Sequence, residues 1–435
     1  MLQQDIVRFV EGWTFDGQTG ECVNIPQVIG GNAVSGRTSA TALPCVERQG
    51  MLWICPTPGA DVSPAAIAVL PELDEPGWTS DDFVRDMPVD FTLLLENVAD
   101  PDHGVFAHQT ATFDSFTASA AHPMAVSTAP GPGGDKILGR VAGVLKMTGK
   151  NEAEKKKAMR GEAGSGEEVT ATLEFAPPVH VRWARFDASG RTTFITAFWA
   201  SPAGLGRTRF FLRYARSIAP WFHPPRWLFH ILINGFLDQD TYLLATQQEV
   251  TLAAELGAAR ANLGSGPGGA EEPGEHAPIM DRRRLFCHRS PTDNFLIAMG
   301  RWLDAAVPRV PNRYRLLVSA DAAGALAVGA ARREDVLDRL ACQTALCPES
   351  AAAYSRFKAA RLVLGVAAAL GAAALVAGAA VGLDRAALIR WAAAAAAAAA
   401  GALVAHKLAR QFEYVYTRDR QAADLKRIPK FVPDK

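Results

Sequence analysis

Four segments in the middle of the chain alternate apolar and polar residues, which is the pattern of strands with one buried face. They cover residues 168–175, 179–186, 192–199 and 208–214. Residues 236–249 begin with two aspartates and continue with an apolar stretch, which is typical of the start of a long helix, because the helix dipole favours acidic residues there. The pattern therefore predicts a group of strands followed by a long helix, an α+β arrangement.

Two apolar segments follow near the C-terminus. Residues 362–383 are 22 uncharged residues, about 33 Å of helix at ~1.5 Å per residue, which is enough for the ~30 Å core of a bilayer. Residues 386–405 could return through the membrane, although Arg390 interrupts them and polyalanine is only weakly lipophilic. We predict a transmembrane hairpin over residues 360–408 and a basic tail over 409–435; a buried helical hairpin of a soluble protein is the alternative.

Composition narrows the class of protein. The chain has 435 residues, 49% of them apolar, which suits two or three domains with a sizeable core. Its 45 basic and 45 acidic residues balance, so no charge excess indicates nucleic-acid binding. The N-terminus has no pattern of a signal or transit peptide. The six cysteines are not spaced as a disulfide framework, and we expect Cys22, Cys45 and Cys55 to be small buried strand residues.

Three further segments complete the outline. Residues 129–169 contain glycine, proline and lysine clusters and are predicted to be a solvated excursion, and residues 257–279 are predicted to be a linker. Residues 290–304 predict a helix whose apolar positions 295, 296, 299, 302 and 303 share one face. We expect that helix to belong to the core rather than to a functional site.

The chemistry is concentrated in residues 94–110, where Asn97, Asp100, His103 and His108 fall within twelve residues. Two neutral imidazoles and one carboxylate suit Fe(II) with open positions for dioxygen. A separation of five places two side chains about 140° apart on a helix, so the histidines can share a metal only at a helix end or over a π-type widening. Two histidines in a polar loop are the alternative.

The spacing Asn97-x2-Asp100-x2-His103-x4-His108, with Pro101 after the aspartate, resembles the mononuclear-iron motif of Rieske-type non-haem iron oxygenases. The whole stretch is similar to the branch that contains pheophorbide a oxygenase and chlorophyllide a oxygenase. The resemblance implies a helix-grip catalytic domain, a curved antiparallel sheet around a long helix, over residues 83–355. It implies His103, His108 and Asp240 as iron ligands. Asp238 is the other aspartate considered as the third ligand, and its alternative role is only to cap the helix.

The same resemblance assigns Asn97 and Asp100 catalytic roles beside the iron. Asp100 matches the residue that, in the trimeric family, bridges one subunit's iron to the neighbour's cluster. Residues 1–80 resemble a Rieske β domain, but Arg8 and Glu11 stand where its second ligand pair would be, and no histidine precedes His103. The [2Fe–2S] cluster expected for the family needs two cysteines and two histidines. We therefore expect a truncated, β-rich remnant without cluster ligands.

A second branch-specific motif lies before the hairpin. Gln343-Thr344-x2-Cys347-Pro348-x-Ser350 resembles a redox box of the branch, with Ser350 in place of its second cysteine. Cys342 and Cys347 are then either a regulatory dithiol or two inert thiols. The sequence leaves both readings open.

The resemblance implies an oxygenase that uses O2, Fe(II) and a chlorophyll-derived tetrapyrrole, with electrons from ferredoxin or from another Rieske protein. It also implies a homotrimer in a chloroplast membrane, either thylakoid or inner envelope. The missing cluster ligands leave three readings: an incomplete oxygenase, a subunit fed by another Rieske protein, or a descendant without the cluster. The alternative function is a catalytically silent tetrapyrrole-binding or membrane scaffold protein.

Overall fold

The computed structural model describes residues 7–8, 12–28, 38–63, 67–104, 108–110, 113–114, 124–131, 134–142, 169–187, 189–263, 281–310, 313 and 333–413. The chain divides into two compact units, Met1–Pro76 and Gly77–Lys435. Some segments singled out in the sequence lie outside the described residues: Glu11, the lysine-rich part of the 129–169 segment, residues 264–279 of the predicted linker and the basic tail from residue 414 onward.

The described residues of the first unit include five short strands and a 3₁₀ helix, Pro71–Asp74. Three of the strands form one antiparallel sheet, β1 (Val7–Arg8), β2 (Thr14–Phe15) and β3 (Cys22–Asn24). The other two form a hairpin, β4 (Cys45–Arg48) and β5 (Met51–Ile54). Cys22 is buried as expected, but Cys45 is exposed, so the expectation for it is wrong. All four residues of β4 are exposed, which gives Cys45 no layer to pack against.

The second unit is built on a seven-stranded sheet in which every pair of neighbours is antiparallel. In spatial order its strands are β6, β14, β13, β12, β11, β10 and β9. Their ranges are β6 (Thr79–Met87), β9 (Ala125–Pro130), β10 (Ile137–Ala142), β11 (Val169–Ala176), β12 (His180–Phe186), β13 (Thr192–Pro202) and β14 (Thr208–Arg216), and two further short strands, β7 (Gln109–Thr110) and β8 (Phe113–Asp114), pair with each other. The four strands predicted from alternation are confirmed as β11 to β14.

Strand β10 falls in the segment expected to be a solvated excursion, so that expectation is wrong for residues 137–142. Val141 is buried, and Gly139 lies under the ring of Phe295. A Cβ atom on Gly139 would stand 2.8 Å from that ring. Gly139 is therefore the residue that lets a helix pack closely on the sheet.

Three helices complete one hydrophobic core with this sheet: α1 (Phe91–Ala99), α2 (Arg226–Leu263) and α3 (Asp293–Ala306). Helix α1 begins where the Asp90 carboxylate accepts a hydrogen bond from the Thr92 amide, and it ends at Asp100, just before Pro101. The most deeply buried large side chains of this core come from β6, α1, β11, β14 and α3: Phe83, Leu93, Leu94, Leu95, Leu173, Phe175, Phe210, Phe295, Met299 and Leu303.

Helix α2 is longer than the sequence indicated. It begins at Arg226, after two prolines, rather than near residue 236, and its first turn contains no acidic residue. It also continues to Leu263, so the first seven residues of the predicted 257–279 linker are helical. Asp238 and Asp240 therefore lie inside the helix, where the helix dipole does not explain them. Their role has to come from what they contact.

The C-terminal part contains two short helices, α4 (Arg333–Val336) and α5 (Arg339–Cys342), and then two long ones, α6 (Pro348–Ala380) and α7 (Arg385–Gln411). Gly371 approaches Ala395 and Gly401 approaches Leu364, so α6 and α7 run antiparallel with small residues at their contact. The most apolar 18-residue window of α6 is only 11% buried and that of α7 is 0% buried. Burial inside a soluble core, the alternative for these helices, is not what the structure has.

The acid stability of the second unit should depend on His180. This residue of β12 is 2% exposed, its Nδ1–H donates to the Phe198 carbonyl at 3.1 Å, and its ring stacks on Trp199 with centroids 4.7 Å apart. Burial lowers the pKa of His180 from 6.5 to about 3. Only the unfolded chain then takes up this proton as the pH falls from 6.5 toward 3, so folding stability is lost over that window.

We expect the free energy of unfolding of the wild type, measured in urea, to fall between pH 7 and pH 5 by ~2 kcal/mol more than that of His180→Gln. One pKa unit corresponds to about 1.4 kcal/mol. Carboxylates that titrate in both proteins cancel in this comparison. Equal pH dependence of the two proteins would contradict the assignment.

Candidate metal centre

The two motif histidines lie beyond the end of α1. His103 is in the turn that follows Asp100, and His108 directly precedes β7. His103 donates its Nδ1–H to the Asp100 carbonyl at 2.5 Å, and His108 donates its Nδ1–H to Gln239 Oε1 at 3.3 Å. Because both Nδ1 atoms act as donors, each ring keeps the lone pair of its Nε2. The two rings are thus prepared to bind a metal through Nε2.

Asp240 reaches the histidines from the middle of α2. Its Oδ2 lies 3.1 Å from His108 Nε2 and 4.0 Å from His103 Nε2. One ligand atom from each of the three residues can be chosen so that all lie within 4.8 Å of one another. His108 is 0% and Asp240 2% exposed, whereas 21% of the His103 side chain is exposed. The three residues expected from the sequence to act together are therefore brought together.

The polar atoms of this group fit a cation. Among the described residues, neither His108 Nε2 nor Asp240 Oδ1 has a hydrogen-bond partner, although both atoms are buried. The 3.1 Å approach of His108 Nε2 to Asp240 Oδ2 lacks hydrogen-bond geometry. Buried polar atoms without a partner are costly, and a shared metal ion would satisfy both of them. Two imidazoles and one carboxylate are the ligand set of mononuclear non-haem iron.

Two neighbours of Asp240 on α2 orient His108, and sequence reasoning missed both. Gln239 accepts from His108 Nδ1, as described above. Phe236, one turn earlier, stacks on the His108 ring with centroids 3.3 Å and planes 16° apart. A glutamine and a phenylalanine at these spacings look ordinary in a helix, so only their nearness to Asp240 could have pointed to them.

Asp102 lies between Asp100 and His103 of the motif and anchors the histidine segment to α3. Its Oδ2 accepts from Ser290 Oγ at 2.6 Å and from Thr292 Oγ1 at 2.7 Å. Thr292 is the residue that precedes the first turn of α3. The turn that carries His103 is thus held by two hydrogen bonds to a charged acceptor, which are stronger than those to a neutral one.

Asn97 and Asp100 do not join the three-residue group. Both line a cavity of about 340 Å³ that also contains His103. Asp100 Oδ1 accepts the Asp102 amide at 2.8 Å. Burial raises the pKa of the Asp100 carboxyl, and the nearby His103 ring offsets part of that effect. The position of both residues beside the histidines is compatible with the roles expected for them.

The cavity extends from His103 between α1, α2 and α3, and its volume is near the low end for small-molecule sites. Leu243, Leu296 and Ile297 supply apolar walls. Helix α3 buries Phe295, Met299 and Leu303 in the core as predicted, and its residues Leu296, Ile297 and Gly300 also line the cavity.

One wall of the cavity is charged. Arg282 lines it and forms ion pairs with Glu96 at 3.0 Å and with Asp304 at 3.5 Å. Burial raises the pKa of Glu96 against the opposing influence of Arg282, and it raises the pKa of Asp304 to about 6. A single arginine thus faces two carboxyls that are reluctant to ionise.

Asp238 does not take part in the metal group. It is 1% exposed and pairs with Arg85 at 2.7 Å and with Arg339 at 2.7 Å. It does not cap the helix either, because α2 begins twelve residues earlier. Of the two aspartates considered as the third ligand, only Asp240 approaches the histidines.

Comparison with known proteins places this geometry in a family. Residues 175–255, from the end of β11 through most of α2, match the family model of pheophorbide a oxygenase. Pheophorbide a oxygenase of Arabidopsis thaliana is 23% identical over 377 residues, which are 80% of this chain and 60% of that protein. The chain is related to the pheophorbide a oxygenase family of Rieske-type oxygenases. The family predicted from the motif at residues 94–110 is confirmed.

Relatives of the pheophorbide a oxygenase family differ in their names. Flavonoid 8-hydroxylase 2, a chloroplastic protein of Ocimum basilicum, is 26% identical over 262 residues, which are 54% of this chain and 46% of that protein. The chain thus spans about half the length of this curated relative. Among solved structures, dicamba monooxygenase bound to dicamba superposes with a TM-score of 0.43 at 14% identity, covering 68% of this chain and 79% of that one.

Asp102 should stabilise the histidine segment measurably. Replacing it by alanine removes the acceptor of the Ser290 and Thr292 hydroxyls. A hydrogen bond to a charged group contributes roughly 1.5–3 kcal/mol to the free energy of unfolding. We expect Asp102→Ala to lower the free energy of unfolding, measured in urea, by about 2 kcal/mol. Asp135→Ala, a control substitution at an exposed position, should change it by less than ~0.5 kcal/mol. Equal values for the two variants would contradict the anchoring role.

Proposed function

We propose that His103, His108 and Asp240 bind one Fe(II) ion and that the chain is the catalytic part of an oxygenase. The observation that carries the proposal is the convergence of these three side chains beside the cavity, where His108 Nε2 and Asp240 Oδ1 are buried and have no hydrogen-bond partner among the described residues. Iron bound by two imidazoles and one carboxylate would supply open coordination positions for dioxygen. Gln239 and Phe236 hold the His108 ring in the orientation that such binding requires.

The remaining residues of the site would bind and orient the substrate. The apolar walls formed by Leu243, Leu296 and Ile297 suit a flat, apolar ring, and Asn97 and Arg282 offer hydrogen bonds to its polar substituents. Asp100 lies next to His103 and can hold a proton there, because burial favours its neutral form. We assign Asn97 and Asp100 these supporting roles in catalysis.

We infer that the substrate is a chlorophyll-derived tetrapyrrole, in keeping with the name of the pheophorbide a oxygenase relative. A cavity of about 340 Å³ accepts only part of so large a macrocycle, so one edge of the ring would enter toward His103. Reaction at one edge would then be a consequence of cavity size.

Electrons would come from ferredoxin or from another Rieske protein. The family uses a [2Fe–2S] cluster for this transfer, and Arg8 and Glu11 stand where two of its ligands are expected. In a homotrimer, Asp100 would lie toward the neighbouring subunit. The same substitutions favour a second candidate, a protein that binds tetrapyrrole without turnover.

We propose a chloroplast membrane as the location, because the relatives described above are named as chloroplastic. Helices α6 and α7 have 33 and 27 residues and are long and apolar enough to cross a bilayer. Their apolar surface is almost unburied, which is unfavourable in water and favourable in lipid. Residues 1–80, 83–355, 360–408 and 409–435 would then be the Rieske-like, catalytic, membrane and tail segments.

The iron site is tested by measuring the metal content of the protein. Wild-type protein expressed with iron is expected to hold about one iron per chain by elemental analysis, and His108→Ala and Asp240→Ala to lose most of it, because each removes one of three ligands. His223→Ala, which changes a histidine remote in sequence from the motif, should retain the metal. Unchanged iron in His108→Ala would disprove the assignment.

Oxygenation is tested with hydrogen peroxide, which replaces O2 plus two electrons and so makes the cluster unnecessary. Wild-type protein and pheophorbide a should give a product heavier by oxygen in mass spectrometry, and Asp240→Ala should give none. A tetrapyrrole-binding protein without catalysis would instead show the spectral change of binding and no product with either protein. That second outcome would contradict the oxygenase proposal.

Membrane insertion is tested by alkaline carbonate extraction of chloroplast membranes. A matched variant replaces residues 362–405 by a linker of about four Gly/Ser residues, which at ~3.5 Å per residue spans the ~10 Å between packed helices. The linker would join Arg361 to His406, whose side chains already lie 3.3 Å apart. We expect wild-type protein to resist extraction and the linker variant to be released. Extraction of both would contradict a spanning hairpin.

A further inference from the structure

A buried polar network lies on the side of α2 that faces away from the metal group. Its members are 0–3% exposed, and they come from β6, α2 and the stretch from α5 to the first turn of α6. They are Arg85, His230, Asn234, Asp238, Arg339, Gln343 and Ser350. Nothing in the proposed chemistry uses these residues, although burying so many polar groups is costly unless they bind one another.

The network is continuous from Asp238 to the first turn of α6. Arg85 donates to Asp238 at 2.7 Å and to Asn234 at 3.1 Å, and Asn234 donates to Gln343 at 3.1 Å. Gln343 and the Ser350 hydroxyl both lie within hydrogen-bond distance of His230 Nδ1, at 3.1 and 2.9 Å. Gln343 is the first residue of the segment that resembles the redox box, and Ser350 stands in place of the second cysteine of that box. Both are used here as buried hydrogen-bonding groups.

The other end of the hairpin joins the same network. Arg339 donates to Asp238 at 2.7 Å and also to the carbonyl of Gln411, the last residue of α7, at 2.8 Å. The Thr344 hydroxyl donates to the carbonyl of Phe412 at 2.9 Å. We call Ser350 together with residues 411–412 the hairpin base. Both ends of the hairpin base are thus hydrogen-bonded, directly or through one or two side chains, to the helix that carries Asp240.

Asp238 and Asp240 point in nearly opposite directions from α2. Two residues correspond to about 200° of rotation on a helix, so a side chain held on one side fixes the angle at which the other leaves. Asp238 holds two arginines, and the Nε and one terminal nitrogen of Arg85 have no other partner among the described residues. Any rotation of α2 that moved Asp240 away from the histidines would break these buried pairs.

We propose that Asp238, Gln343 and the hairpin base are positioning residues for the metal site: they set the rotation of α2 and therefore the reach of Asp240. The hairpin base is then part of the scaffold of the site, whereas the apolar length of the hairpin beyond residue 361 is not required for metal binding. The inference rests on the proposed metal site and adds to it a dependence on residues that touch neither metal nor substrate.

The test uses the full chain and cobalt(II) as a probe, since its visible absorption reports both binding and ligand geometry. Asp238→Asn and the milder Gln343→Leu break the network at two points. Glu349→Gln is the matched control, because it removes the half-exposed Arg226–Glu349 pair, which also joins α2 to α6 but lies outside the network. The linker variant described above removes the apolar length of the hairpin and keeps the hairpin base.

We expect the two network variants to bind cobalt about 10-fold or more weakly, with an altered absorption spectrum, as is usual when groups that orient metal ligands are removed. Glu349→Gln and the linker variant should bind as wild type does. Melting temperatures measured in parallel separate the roles, because a merely structural network would lower the melting temperature and leave affinity and spectrum unchanged. That result would overturn the proposal, and so would weakened binding in the linker variant.

Failure of the metal site itself has a different signature. If wild-type protein binds neither iron nor cobalt, the proposed function fails and the positioning role fails with it. If wild-type protein binds cobalt and Gln343→Leu, still folded by circular dichroism, binds it equally well, only the positioning role is wrong. Each outcome therefore decides between the two statements.

Discussion

The position of α2 is the constraint on which the rest of the second unit depends, and buried charges fix it. Near its C-terminal end, Glu255 pairs with Arg313 at 2.7 Å, and the same guanidinium pairs with Asp90 at 2.9 Å. Asp90 in turn begins α1, the helix that leads to His103. Leaving one member of a buried ion pair unpaired costs roughly 3–5 kcal/mol, so α1 and α2 cannot move apart without a large penalty. The helix that carries Asp240 and the helix that leads to His103 are thereby tied together.

The sequence was sufficient for the parts of the fold that follow local rules. Alternation located β11 to β14, and the resemblance to a known iron motif pointed to His103, His108 and Asp240, whose potential ligand atoms lie within 4.8 Å of one another in the structure. It was insufficient where a residue's role depends on a distant partner. Gly139 lies in a segment predicted to be a solvated excursion, and only its contact with Phe295 shows that it belongs to the sheet; likewise Asp238 resembles a helix cap until its arginines are seen. Those partners are 101–156 residues away along the chain.

The contrast between the two ends of α6 explains why a single chain can contain both a polar network and an apolar hairpin. The first turn of α6 is held among buried polar groups, with Ser350 0% exposed, while residues such as Leu362 and Val376 are 69% and 72% exposed. Polar groups are favourable in the interior only when they are paired, and exposed apolar residues are favourable only in lipid or in another apolar environment. The change between the two regimes marks where the catalytic scaffold ends.

Three consecutive residues of α2 are used in three directions. Asp238 binds the arginines, Gln239 binds His108 Nδ1, and Asp240 faces His108 Nε2. Each step along the helix turns the side chain by ~100°, so the insertion or deletion of a single residue here would misdirect at least one of them. A substitution at one of these three positions changes the contacts of one side chain, whereas an insertion or deletion changes the direction of several. The Asp-x-Asp spacing thus follows from helix geometry, and we expect it in any descendant of this chain that keeps both the proposed metal site and the fold.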